Sequence, residues 1–207
     1  MASGSDLNAT LTFENEVRAR DEIVVYAARL YERGLVAGSS GNISVRLADG
    51  DLLVTPSGTS LRALRPDDVV RCTPQGRVRA AQGRPTSELP LHLAAYQSRA
   101  DAFALIHTHP TYSVAWSKTG GLFPLDTVGA LESLGTIAFV AYAASGTEEL
   151  AGLCAAAFAR GIDTIVMEHH GLSSLGSDLE TAFVRTDLAE QTARIEFAAS
   201  VLRMAKT

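Results

Sequence analysis

The chain has 207 residues and a mass of 21.9 kDa, with 46% hydrophobic and 20% charged residues. That length fits one domain or two small ones, and such a chain buries ~70% of its unfolded surface without a disulfide staple. Eighteen Lys and Arg against 23 Asp and Glu give a net charge of −5, which excludes a broad grip on nucleic acid but leaves room for a local anion pocket.

In chain order, Met1–Asn8 is small and polar and lacks the basic start and apolar core of a signal peptide. Residues 1–10 are expected to form a disordered tail, and residues 11–207 a single domain. A helix is predicted from about Thr12 to Arg33, where Val17, Ile23, Ala27, Leu30 and Tyr31 recur at helical spacing and Gly34 supplies the stop. The loop AGSSGNIS leads into a strand in which Ile43, Val45 and Leu47 alternate with Ser44 and Arg46. Asp49-Gly50 then reads as a hairpin turn into Leu52–Val54, followed by the loop TPSGTSL. VVRCT and RVRA (residues 77–80) form another expected hairpin. TSELPLHLAAYQSR reads as a helix opening on polar residues, FALIHTH as a buried strand and PTYSVAWS as a helix with proline at its start. IAFVAYA is an apolar strand, TEELAGLCAAAFARG an Ala-rich helix, DTIVMEHHG a strand that LSSLG extends into another, and residues 178–205 a last helix. The fold class expected is α/β, one domain with a mainly antiparallel central sheet flanked by helices. The longest apolar stretch, around Ile137–Ala144, is far short of the ~20 residues of a membrane helix, so no membrane partner is expected. Cys72 and Cys154 fit no metal-knuckle spacing and read as reduced thiols, which suits a cytoplasmic location.

The sharpest chemical signal is His107-Thr108-His109 at the end of an apolar strand. Strand side chains repeat with period two, so both imidazoles point the same way and can either chelate one metal ion or cap the strand by hydrogen bonding. A zinc site needs a further protein ligand, and His169-His170 ends another buried strand; one of that pair is expected to serve. His92 reads as a surface or interface histidine. GSSGN (38–42), TPSGTS (55–60) and PTSE (85–88) are small-residue loops that either form plain turns or cradle a phosphate through N–H groups and hydroxyls. Glu88 follows the last of them, as either a first-turn carboxylate or an acid/base. Neither nucleotide-binding glycine motif is present.

Together these segments resemble the class II aldolase/adducin family over nearly the whole chain. GSSGNIS, VTPSGTSL, PTSELPLHLAAYQSR, LIHTHP and EHHGL appear in family order, and SE-x-x-x-H-x-AAYQSR followed by HxH is most similar to the fuculose-phosphate aldolase branch. The resemblance implies that His107, His109 and His170 bind the metal. It implies that Asn42, Ser57, Gly58, Thr86 and Ser87 hold the substrate phosphate, and that Glu88 is the acid/base. It further implies a C4 homotetramer with active sites at the subunit interfaces. The expected reaction is cleavage of a phosphorylated sugar, a ketose 1-phosphate, to dihydroxyacetone phosphate and an aldehyde. One Zn²⁺ per chain, or Mn²⁺ or Co²⁺, would withdraw electrons and stabilise the enediolate. Lys118 and Lys206, the only lysines, lie in no matched motif, which argues against a Schiff-base mechanism. Epimerases and decarboxylases of sugar phosphates share the same ligands, and adducin-like members are non-catalytic binding modules that would lose them.

One departure stands out. The fuculose-phosphate branch carries a tyrosine acid/base for the aldehyde end just before the strand corresponding to IAFVAY, contributed across a subunit interface. Here that stretch is GLFPLDTVGALESLGT, with Asp126 or Thr127 near the position, and the C-terminal MAKT also lacks the branch's tyrosine. A smaller or deoxygenated aldehyde is therefore expected. Tyr112 is an alternative donor, or simply a packed helix aromatic.

Overall fold

A computed structural model describes residues 4–79, 83–121 and 123–206, with side chains from residue 15 onward. Seven strands form one sheet: β1 (Asn42–Arg46), β2 (Leu52–Val54), β3 (Val70–Cys72), β4 (Ala104–Thr108), β5 (Ile137–Val140), β6 (Thr164–Met167) and β7 (Gly171–Gly176). Their order is β3-β2-β1-β4-β7-β6-β5. Every neighbouring pair is antiparallel except β5 and β6, so the sheet is mixed but mainly antiparallel. The parallel pair follows from α4 (Glu148–Phe158), which carries the chain back between the two strands.

Strand alternation divides the core into two layers. Ala104 and Ile106 of β4, with Ile43 of β1, pack under α1 (Gly4–Glu32) and α5 (Leu179–Met204), against Ile23, Ala27, Leu30 and Phe183. Leu105, between them on β4, turns to the other face, where α2 (Leu89–Ser98) and α4 contribute Leu91, Ala95, Leu150 and Phe158. Each fully buried aliphatic side chain here contributes about 1.5–3 kcal/mol. By the same period of two, His107 emerges from β4 on the α2 face, and so do Asn42 and Ser44 of β1. A third cluster joins α3 (Thr111–Ser117), a π-helical turn (Ala130–Leu134) and α5 through Phe123, Leu134, Leu172 and Ala189.

Several expectations shift. Helix α1 begins at Gly4, not near Thr12, and takes in most of the segment expected as a tail; no proline or glycine interrupts residues 5–33. Met1–Ser3 lie outside the described residues. Helix α2 starts at Leu89, after Ser87, because Thr86 is tied back to β2 through its N–H to Thr55 O. Of the expected RVRA strand, Val78 makes one bridge to Cys72, and Ala80 lies outside the described residues. His169 and His170 sit in a turn between β6 and β7, where a strand end is expected. No helix is long and apolar enough to cross a membrane among the described residues.

Candidate metal centre

The site forms where β4, the β6–β7 turn and the start of α2 meet. His107 is fully buried; its Nδ1 faces Leu172 O at 3.1 Å and Ser173 Oγ at 3.0 Å. A carbonyl only accepts, so Nδ1 carries a proton, and Nε2 is the ring nitrogen turned toward the cluster. That Nε2 lies 2.9 Å from His109 Nε2 and 2.9 Å from Glu88 Oε2. His170 arrives from the β6–β7 turn and places Nε2 3.2 Å from Glu88 Oε1. The turn depends on His169, whose φ of 57° swings the chain so that His170, not its neighbour, faces inward. His170 alone of the pair joins the cluster, and the cause is a left-handed turn residue and not strand alternation. Gly171 then closes the approach: a Cβ there would collide with Thr108 O and lie 2.8 Å from His109 Cδ2 and 3.0 Å from His107 Cε1.

Glu88 is 5% exposed. Asn42 Nδ2 donates to its Oε2 at 2.9 Å and Ser145 Oγ to its Oε1 at 3.0 Å. Burial works to raise the Glu88 pKa, but the charge and hydrogen bond of His107, with hydrogen bonds from His170 and Asn42, outweigh it. The carboxyl is held well below the usual range and is ionised. Burial, followed by the charges of His107 and His170, lowers His109 to about 4 and keeps that imidazole neutral. Four ligand atoms, one each from Glu88, His107, His109 and His170, lie within 4.8 Å of one another. Imidazole nitrogens and a carboxylate turned toward one point form a donor set that a divalent cation fits.

A cleft runs away from this cluster. Asn42, Ser57, Gly58, Thr86, Ser87, Glu88 and His109 line it, together with Ser145. Among the described residues its lining contains no lysine or arginine. The amide of Asn42, however, is committed at both ends, to Glu88 and to His92. His92 is fully buried, not the surface or interface residue that the sequence suggests, because α2 lays it against β1. Ser145 has no counterpart in the sequence reading. Its loop, AASG after an apolar strand, carries the same small-residue signal as GSSGN. Gly146, at φ 74°, lets that loop approach α2: a Cβ would stand 2.8 Å from Ser87 O.

Two of the alternative donors for the aldehyde end have contacts of their own. Tyr112 packs against Phe197 and under Arg194, as a packed helix aromatic does. Thr127 Oγ1 accepts from Ala130 N and faces Thr192, starting the π-helical turn.

Residues 21–197 match the family described as Class II Aldolase and Adducin N-terminal domain. The chain belongs to this family. It is 34% identical over 177 residues to the L-fuculose phosphate aldolase of Methanococcus maripaludis strain S2, covering 85% of this chain and 94% of that one. Over 193 residues it is 32% identical to the 5-deoxy-D-ribulose 1-phosphate aldolase of Bacillus thuringiensis, covering 92% and 86%. Among solved structures, YgbL of Klebsiella pneumoniae superposes with a TM-score of 0.82 at 32% identity, covering 88% and 90%. That protein is described only as aldolase, epimerase or decarboxylase.

Proposed function

We propose that this metal-dependent aldolase cleaves a ketose 1-phosphate, fuculose 1-phosphate-like or a deoxy-pentulose 1-phosphate, to dihydroxyacetone phosphate and an aldehyde. The observation that supports it best is the meeting of His107, His109, His170 and Glu88 at the end of a cleft lined by Ser57, Gly58, Thr86 and Ser87. A bound divalent cation, zinc by the three-imidazole donor set with Mn²⁺ or Co²⁺ as alternatives, supplies the positive charge that withdraws electrons from the substrate carbonyl. His107, His109 and His170 hold that ion as neutral ligands, which leaves its charge undiminished. The ionised Glu88 would take the C4 hydroxyl proton as the C3–C4 bond breaks, leaving the aldehyde carbonyl, and would deliver that proton to C3 of the dihydroxyacetone phosphate. Ser57, Gly58, Thr86 and Ser87 fix the phosphate and so hold the reacting carbons in register; Asn42 shares in this by placing Glu88. The missing tyrosine supports a small or deoxygenated aldehyde as the second product. The working unit in this reading is a cytoplasmic C4 homotetramer, supported by the exposed Phe197, Val201, Leu202 and Met204 on α5.

Purified zinc-loaded protein, offered a panel of ketose 1-phosphates, should release dihydroxyacetone phosphate from at least one. Release from none would sink the aldolase reading. An isomerised sugar phosphate would instead favour the epimerase, and CO₂ from a sugar-acid phosphate the decarboxylase, the alternatives that the YgbL likeness supports.

A further inference from the structure

A buried chain of polar groups leads into Glu88 from behind, and the proposed reaction does not use it directly. Glu88, His92 and Tyr96 lie four residues apart and share one face of the segment that becomes α2. Asn42 and Ser44 lie two apart on β1 and share the facing side of the sheet. The spacings match, since four helical residues rise about 6 Å and two strand residues about 6.6 Å. The two ladders therefore interlock. Asn42 Nδ2 lies 2.9 Å from Glu88 Oε2, and Asn42 Oδ1 lies 2.6 Å from His92 Nε2. His92 Nδ1 lies 2.6 Å from Ser44 Oγ, and Tyr96 OH lies 2.9 Å from Ser44 O. All five residues are buried, with exposures from 0% to 6%.

The direction of every bond follows from one end. An ionised carboxylate only accepts, so the Asn42 amide must turn its NH₂ to Glu88 and its oxygen to His92. That oxygen also only accepts, so His92 Nε2 must carry the proton. A neutral His92 then has a bare Nδ1, which accepts from the Ser44 hydroxyl. Burial first, and the charge of His107 second, lower His92 to about 3, consistent with a neutral ring.

We infer that His92, held as its neutral Nε2–H tautomer, is a positioning residue that fixes the Asn42 amide so that it donates to Glu88. Without it the amide is free to rotate, and its oxygen would then face the carboxylate and repel it. His92 touches neither substrate nor metal ligand; it acts through Asn42. The catalytic consequence rests on the proposed proton-carrying role of Glu88, whereas the tautomer does not.

Two measurements on the full-length, zinc-loaded protein test this. Long-range ¹H–¹⁵N spectra of histidine-labelled protein at neutral pH should show His92 with a protonated Nε2 and a bare Nδ1; the His92→Gln variant, lacking those signals, assigns them. An Nδ1–H tautomer or a doubly protonated ring would overturn the inference, whether or not any sugar phosphate is cleaved. In turnover, His92→Leu should lower kcat about 100-fold with KM changed less than about threefold and zinc still near one per chain. His92→Gln, whose side-chain NH₂ can reach the Asn42 oxygen, should recover kcat to within about tenfold of the parent. Unchanged kcat in His92→Leu, or a His92→Gln variant that folds, binds zinc and shows no recovery, would overturn it. If His92→Leu does not fold, the tautomer and the His92→Gln rate decide.

Discussion

The two ends of the sheet each bury a carboxylate, and they neutralise it by different means. At the end away from the cleft, Asp51 is 1% exposed and receives Arg71 at 2.8 Å and Arg79 at 2.9 Å; Arg71 also reaches Glu16 and Asp49. Guanidinium charge is permanent, and with Arg20 on Glu16 at 2.6 Å three guanidiniums face three carboxylates, so the fold balances this cluster by itself. At the cleft end, Glu88 meets two imidazoles, an amide and a hydroxyl. Imidazoles carry charge only when protonated, so the counter-charge that His107 lends Glu88 is conditional and not permanent. The first arrangement stabilises the fold by itself. The second presents lone pairs and a negative charge to one point and gains its counter-charge from a ligand.

The largest test of that contrast removes a ligand at the cleft end. His109→Ala should abolish tight zinc binding, measured by metal analysis after dialysis, and with it all turnover. Wild-type zinc content and rate would mean that the ligand assignment is wrong. Glu88→Gln should keep one zinc per chain yet lose about 10²–10⁴-fold in kcat, because an amide cannot carry the proton. Unchanged turnover would reduce Glu88 to a helix-start residue. Gly171→Ala should weaken zinc binding by about 10–100-fold, the range seen when groups that orient metal ligands are disturbed. Its methyl group has no room between Thr108 O and the two imidazoles, so β7 must shift away from β4. Unaltered zinc affinity would show that the turn can absorb the methyl group without moving His107, His109 or His170.

These residues were unequally legible in the sequence. His107 and His109 were readable because strand period alone puts them on one side. Glu88 and the cleft residues were readable because small polar loops border a predicted helix. His92 was misread, since a histidine on a short helix carries no local mark of which face turns inward. Its burial depends on Asn42 and Ser44, some 50 positions earlier, and only the tertiary fold brings them together. Ser145 was invisible for the same reason. The parallel pairing of β5 and β6, by contrast, is implied by the order strand, Ala-rich helix, strand, since the helix carries the chain back between them.

The smallest expected effect belongs to the far end and concerns stability alone. Burial works to raise the Asp51 pKa, but hydrogen bonds and charge from Arg79 and Arg71 outweigh it and leave the carboxyl below its ordinary value. A carboxyl depressed in the folded state adds stability above its unfolded pKa, near ~3.9, and loses that contribution as pH falls through the folded pKa. Asp51→Asn should therefore lower the melting temperature by about 4–8 °C at neutral pH, as expected for hydrogen bonds to charged groups in a chain of this size. The difference from the parent should stay level from about pH 8 to pH 5 and shrink below about pH 4. Zinc should still raise the melting temperature of Asp51→Asn as much as that of the parent, because the arginines bonded to Asp51 and the groups bonded to Glu88 are different residues. A zinc-induced shift that disappears in Asp51→Asn would break the comparison, since it would mean that the permanent cluster and the ligand-dependent one are energetically coupled across the sheet.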